Sequence, residues 1–366
     1  MNLSRTLARY FPAPRLLIPR SAGIDITDGS IKWVTLRDDG RIIRVDSFGQ
    51  YDLPAGVVVH GAVRDVRALG NALIEIKKKL KGITHAHAAL PEEGAYAFDM
   101  HVPMNSSHEE MLHMVEFELE GRVPVPISQA VYDFDPIVTT GEGDIEIGAV
   151  VFSKDLATGY VHSFEAAGLS LLSLELEARS IGRAVFAPGD EAIALLVDIG
   201  KERAGFAILK HGIPIFTSTV EAGGGEMTKI VKEGLGLKDD HEVELFKNEQ
   251  GLLATDPRAQ EVKARLEKVA DAIAQEVARH YRFWDTRRND HGERVTPVSK
   301  VYLVGGSANL RGLAEYVAGR VHAQTERPNV WRNIASFDDY IPPIDRRASL
   351  QFVTAVGLAL RGLARH

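Results

Sequence analysis

The chain has 366 residues, 45% of them hydrophobic and 25% charged, which is enough for two ordinary domains with cores of their own. A formal net charge of −7 leaves no basic excess to neutralise phosphates, which argues against nucleic acid as a primary partner. The absence of cysteine excludes disulfides and thiolate metal sites and fits a reducing cytoplasm. No run approaches the roughly 18 apolar residues of a membrane span.

Residues 1–20 form a basic arm with Arg5, Arg9, Arg15, Arg20 and no acid. It lacks the apolar block of a secretory signal. It reads as a disordered arm ended by Pro12, Pro14 and Pro19. The alternative is a short helix with Leu3, Leu7, Tyr10 and Phe11 facing an anionic membrane.

The strongest pattern then appears twice. Residues 22–36 read AGIDITDGSIKWVTL and residues 195–209 read LLVDIGKERAGFAIL. Each is an apolar run ending in Asp-Ile, a polar turn, and a second apolar run, so Asp25 and Asp198 stand where a buried strand meets a tight turn. In the first half, strands are expected at 22–26, 31–37 and 41–48, with hairpin turns at Asp28-Gly29 and Asp38-Asp39-Gly40. A helix at about 65–81 and a strand at 84–90 follow. In the second half, strands at 191–198, 203–210 and 213–220 precede the glycine-rich start of a helix at 226–234, and KVYLVGG (300–306) returns as a strand. Three antiparallel strands, a helix and a returning strand thus occur twice in an α/β fold.

Two insertions interrupt the copies. The first, 91–172, carries a helix at 107–121, two strand-like runs split by TTGEGD, and a helix at 154–167, enough for a small α+β subdomain. The second, 235–298, is mainly helical, with a long amphipathic stretch from Pro257 to Trp284 and a charge-dense loop, DTRRNDHGER. NLRGLAEYVAGRV reads as a helix, and ASLQFVTAVGLALRGLAR, rich in small residues, as a helix packed onto the first domain. The histidines, including His85, His87, His108 and His113, complete no metal set. Glu116, Glu118 and Glu120 fall on a charged helix face.

AGIDITDGSIKWVTL, LVDIGKERAGFAILKHG, EAGGGEMTKIV and VYLVGGSANLRGL, in this order and spacing, resemble PilM, the actin-like type IV pilus assembly family related to the division protein FtsA. LPAGVVVHGAVRDV (53–66), ELEGRVPVPISQAVYDF and AVGLALRG add to the resemblance, which spans about 22–362. It implies a duplicated actin-like (ribonuclease H-like) fold: two lobes around a nucleotide cleft, with an FtsA-like insertion subdomain. The first lobe takes 21–90, 173–190 and 347–366; the second takes 191–234 and 299–346.

It also implies ATP or ADP with Mg²⁺ in the cleft. Gly29, Ser30 and Lys32 would wrap phosphate, with Asp25 holding the metal through water. Asp198, with Gly200, would orient metal or the attacking water as the catalytic residue. Gly223, Gly224 and Gly225 open a helix whose N–H groups could face a phosphate. Gly305, Gly306 and Ser307 form a turn that lets an adenine approach the backbone. Glu244 and Lys247 match a helix pattern that touches ribose and base in related proteins, beside the plain alternative of a surface ion pair.

The family's first loop normally reads D-I-G-S-S-S-x-K, and its second is Gly followed by small and hydroxyl residues. Here Thr27 and Asp28 stand in the first, and Lys201, Glu202 and Arg203 in the second. Acid near phosphate repels it unless offset, so at most a weak ATPase is expected.

The implied function is a cytoplasmic scaffold, peripheral on the inner face of the membrane. Its partner would be the N-terminal cytoplasmic peptide of a PilN-like membrane protein, along with other inner-membrane components of the pilus machinery. The resemblance leaves room for a homodimer. The alternatives are an active ATPase or small-molecule kinase of the same superfold, and an FtsA-like filament former. The last is disfavoured because the chain stops at RGLARH without an amphipathic anchor helix.

Overall fold

The computed structural model describes residues 18–137, 143–288 and 294–363. Of the basic arm only residues 18–20 fall inside this set, and Arg20 bonds the Asp46 carboxylate at 2.5 Å. Most of the TTGEGD turn and half of the charge-dense loop lie outside it.

The first lobe is built on β1 (Ser21–Ile26), β2 (Ser30–Asp38) and β3 (Ile43–Asp52). A short hairpin, β4 (Val58–Val59) and β5 (Ala62–Val63), leads into helix α1 (Val66–Lys79), and β6 (His85–Leu90) returns to the sheet. The Asp65 carboxylate caps α1 by accepting the Ala68 N–H, and Lys77, Lys78 and Lys79 close its last turn.

The first insertion follows: β7 (Ala95–Pro103), α2 (His108–Arg122), β8 (Ala130–Ile137), β9 (Asp144–Ser153) and α3 (Lys154–Ala166). β10 (Ser170–Leu176) and α4 (Glu177–Val185) complete the lobe. Strand order is β10-β6-β1-β2-β3. β1 lies at the centre, parallel to β6 and antiparallel to β2, and is buried along its whole length. Such a strand needs apolar side chains on both faces, which is why Asp25 stands out in it.

The second lobe repeats the plan. β11 (Ile193–Ile199), β12 (Ala204–Lys210) and β13 (Ile213–Val220) form the meander. Helices α5 (Gly224–Leu235), α6 (Asp240–Glu249) and α7 (Gln260–Asp285) precede β14 (Lys300–Val304), α8 (Leu313–Ala318) and β15 (Gln324–Glu326). The order β15-β14-β11-β12-β13 superimposes strand for strand on that of the first sheet. On α7 the buried stripe Val262, Leu266, Val269, Ile273, Val277 recurs every three or four residues, the signature of one helix face on a core.

The chain then returns through α9 (Arg346–Ser349) to α10 (Val353–Arg361), which packs on β1 and α4. Contact here is backbone to backbone: a Cβ on Gly23 would come within 2.1 Å of the Ala355 carbonyl, and one on Gly357 within 1.8 Å of the Ser180 carbonyl.

Within the insertion, the sheet β7-β9-β8 and α2 bury a separate core of Phe98, Val102, Val115, Leu119, Ile147 and Val151. α3 packs instead on α1 of the first lobe, where Tyr160 donates its hydroxyl to the Gly61 carbonyl at 2.9 Å. The insertion sheet is fastened to the second lobe by Lys210–Glu146 at 2.5 Å and Arg287–Asp99 at 2.6 Å.

Candidate functional site

The two Asp-bearing turns meet between the lobes. Antiparallel pairing sets Asp25 opposite Lys32, and the β11 pairings set Asp198 beside Gly205 on one side and Val304 on the other. Gly305 follows with φ +84°, and a Cβ there would lie 2.3 Å from Asp198 Oδ1. Only glycine suits that backbone and that gap.

In the first turn the Thr27 hydroxyl is spent locally, accepting the Ser30 N–H at 3.2 Å and bonding the Ser30 carbonyl at 3.0 Å. Lys32 Nζ donates to Ser30 Oγ at 3.1 Å. Asp28, which stands where a hydroxyl is usual, turns away and accepts the N–H groups of His60 and Gly61 at 3.0 and 2.9 Å. Gly29 is open: a Cβ built on it meets nothing within 4 Å. The open position of this turn is therefore Gly29, with the half-buried Lys32 and the buried Ser30 behind it.

The second turn is filled by its neighbours. The N–H groups of Gly224 and Gly225 donate to the carbonyls of Gly200 and Lys201 at 2.9 and 2.7 Å, so these two donors are not free for phosphate. Ser307 Oγ bonds the Gly200 carbonyl at 3.4 Å, and a Cβ on Gly224 would collide with that hydroxyl at 1.7 Å. Gly223, Gly224 and Gly225 thus serve chiefly to let α5 sit against the turn, a Cβ on Gly223 falling 2.3 Å from the Lys201 carbonyl.

Further from the turns, Lys247 Nζ, almost wholly buried, donates to Glu244 at 2.6 Å and to Thr228 Oγ1 of α5 at 3.0 Å. Its carbonyl accepts the Arg311 N–H at 2.9 Å, which ties α6 to the segment carrying Gly306 and Ser307. Lys247 is therefore a buried brace, while Glu244, half exposed, holds it from the surface side.

Two site residues escaped the sequence reading. Glu92, just after β6, and Glu177, the first residue of α4, are hydrogen-bonded carboxyl to carboxyl. Glu92 Oε1 also accepts the Ala178 N–H at 2.9 Å. Together with the buried Asp25 and the half-buried Asp198 they form an acidic cluster opposed by Lys32. Burial, then the charges of Glu92 and Asp25, push Asp198 up to about 7 against the pull of Lys32. Burial raises Asp25 and Glu92, and burial with the Glu92 charge holds Glu177 well above the usual range. The rule that exposed Asp25 and Asp198, an acid closing an apolar run, applies equally to HAHAALPE and SLLSLELE.

These residues fit a nucleotide-bound Mg²⁺. Asp25 Oδ1 is buried without any hydrogen-bond partner, an arrangement that costs free energy unless a cation or its water completes it. Among the described residues no group of three acidic or histidine ligands gathers at metal distance. A cavity of about 370 Å³ opens beside the cluster, lined by His60, Glu93, Tyr96, Arg203 and residues 217–221 of the β13 edge.

The family model of the type IV pilus assembly protein PilM matches residues 23–363. The chain belongs to the PilM family. As a PilM-family, type IV pilus assembly protein it shares its fold with several solved structures. The PilM-PilN type IV pilus biogenesis complex matches with a TM-score of 0.76 at 21% identity, over 95% of this chain and 99% of that one. The ethanolamine utilization protein EutJ from Carboxydothermus hydrogenoformans matches at 0.53 and 19%, over 95% and 91%. MreB 5 of Spiroplasma citri bound to AMPPNP matches at 0.53 and 10%, over 93% and 95%. At these identities the likeness establishes the two-lobe actin-like architecture of this PilM-family chain. Among its described residues no helix is long and apolar enough to cross a membrane.

Proposed function

We propose that this PilM-family protein is a scaffold that binds Mg²⁺ with ATP or ADP between its lobes and captures the N-terminal cytoplasmic peptide of a PilN-like membrane protein. The carrying observation is the unpartnered, buried Asp25 Oδ1 in the turn that also holds the open Gly29 and the half-buried Lys32. Lys32 and Ser30 would hold phosphate oxygens, and Asp25 and Asp198 would orient the water around the cation. When bound, the cation supplies charge neutralisation for the phosphates and the buried carboxylates. Gly305, Gly306 and Ser307, braced by Lys247, would form the base end of the cleft. Capture by PilN would place the protein on the cytoplasmic face of the inner membrane, beside other pilus components. The lobe and insertion boundaries, with the first insertion ending where β10 begins at Ser170, and a homodimer are parts of this reading.

Peptide capture near the first insertion would respond to nucleotide because the insertion is pinned to the second lobe through Glu146 and Asp99 while its chain ends issue from the first. A change in the angle between lobes would then reshape the groove, as a population shift. Calorimetric titration of Mg·ATP into nucleotide-free protein, followed by a PilN-type peptide with and without nucleotide, tests both halves. Binding of nucleotide and a several-fold change in peptide affinity are expected; no peptide binding in either state overturns the scaffold.

Slow hydrolysis is a second reading, favoured by the place of Asp198 at the end of β11 beside Gly305, where a carboxylate could orient an attacking water. Turnover above background, abolished in Asp198→Ala, would support it.

A further inference from the structure

Arg203 belongs to the second turn, yet its side chain is spent on the first lobe. The guanidinium is largely buried, with 14% of the side chain exposed. It bonds the Glu93 carboxylate and His60 Nδ1, and lies 3.5 Å from Asp28 Oδ2. Asp28 stands in the first turn, His60 in the bend between β4 and β5, and Glu93 just beyond β6. One side chain therefore bridges the two turns.

The departures from the family's loop pattern, acid in one turn and base in the other, are thus partners. Their attachments differ in stiffness. Asp28 is held by two backbone N–H groups, and His60 sits at φ +53°, fixed by one of them. Arg203 reaches its partners along a flexible stem from a short turn, so it is the member able to change allegiance.

We infer that Arg203 reads the terminal phosphate of a nucleoside triphosphate, exchanging Asp28, Glu93 and His60 for that phosphate and so releasing the first-lobe wall of the 370 Å³ cavity. This rests on the nucleotide reading above. A guanidinium grips phosphate through two parallel N–H···O bonds, and the terminal phosphate carries more charge than either carboxylate. A diphosphate ends one group short and leaves the clasp with Glu93. Once Arg203 has moved, Glu93 has lost its cation while Glu221 lines the same cavity with the same charge, and like charges drive that wall outward. Triphosphate and diphosphate would then favour different states of the cavity, the differential affinity that a population shift requires.

The test is calorimetric titration of Mg·ATP and Mg·ADP into the full chain, with amide hydrogen exchange read over residues 93–96 and 217–221. The wild type is expected to bind Mg·ATP about tenfold more tightly than Mg·ADP. Arg203→Ala should abolish that preference while Mg·ADP affinity stays within about threefold, and Arg203→Lys, a point charge without the fork, should retain only part of it. Glu93→Gln, which removes the competitor, should raise Mg·ATP affinity a few-fold. Faster exchange in the two segments with Mg·ATP than with Mg·ADP should vanish in Arg203→Ala. A preference that survives Arg203→Ala, or equal losses for both nucleotides, overturns the inference and leaves the nucleotide cleft standing. Failure of the wild type to bind either nucleotide overturns the cleft reading itself.

Discussion

The two turns occupy equivalent places in two copies of one fold, and they have been filled in opposite ways. In the first, side chains consume backbone: Thr27 bonds the Ser30 carbonyl, and Asp28 caps the neighbouring hairpin through its N–H groups, leaving Gly29 facing open space. In the second, backbone consumes backbone: Gly224 and Gly225 donate into the turn, and Ser307 closes it from the other side. Duplication preserved the course of the chain while letting the two turns part company in chemistry. The first turn leaves Gly29 open, and the second is a packed joint that holds Asp198 in place.

That contrast can be broken most severely at the joint. Gly305→Ala forces a side chain into a φ of +84° and against Asp198, and should cost about 3–5 kcal/mol, read as a loss of thermal stability. Asp198→Asn should act next, and its sign depends on pH. The folded state keeps a proton on Asp198 up to about 7, whereas the unfolded chain releases it near 3.8. That contribution to stability is complete below 3.8 and is lost as pH rises through 7. The variant should therefore exceed the wild type by about 3 kcal/mol at pH 8 and by little near pH 4, measured by denaturant titration at both values. Millimolar Mg²⁺ with nucleotide should narrow the gap at pH 8.

Lys247→Met leaves Thr228 and the half-exposed Glu244 without their cation, and should cost about 1 kcal/mol in the same assay. Gly29→Ala gives the sharpest contrast. Stability should change by no more than about 0.5 kcal/mol because the new methyl touches nothing, while Mg·ATP affinity should fall about tenfold if phosphate binds there as proposed. Equal stability losses at Gly29 and Gly305 would erase the distinction between the two turns.

The sequence announced Asp25 and Asp198 because local pattern suffices where an acid ends an apolar run. Glu92 and Glu177 obey the same pattern, but nothing local says that the ends of β6 and β10 lie together; that follows from parallel pairing, which side-chain alternation does not encode. The partners of Arg203 are remote in sequence for the same reason. Other misses are geometric. The helix expected over 309–321 shrinks to Leu313–Ala318, because residues 306–309 form a tighter turn and Gly312 enters at φ +87°. The strand expected over 41–48 runs instead over Ile43–Asp52, its burial alternating only in part, as an edge position allows. β15, three residues long, is too short to carry a period.

The position of α10 has a consequence for how the chain is made. Its backbone fills the notches left by Gly23 and beside Ser180, so the apolar face of β1 stays uncovered until residues 353–361 have been synthesised. On the ribosome the second lobe has all its strands before the first lobe has its last helix. The lobe translated first is thus the one completed last, and a chain stalled before α10 would present β1 and α4 to chaperones rather than a finished domain.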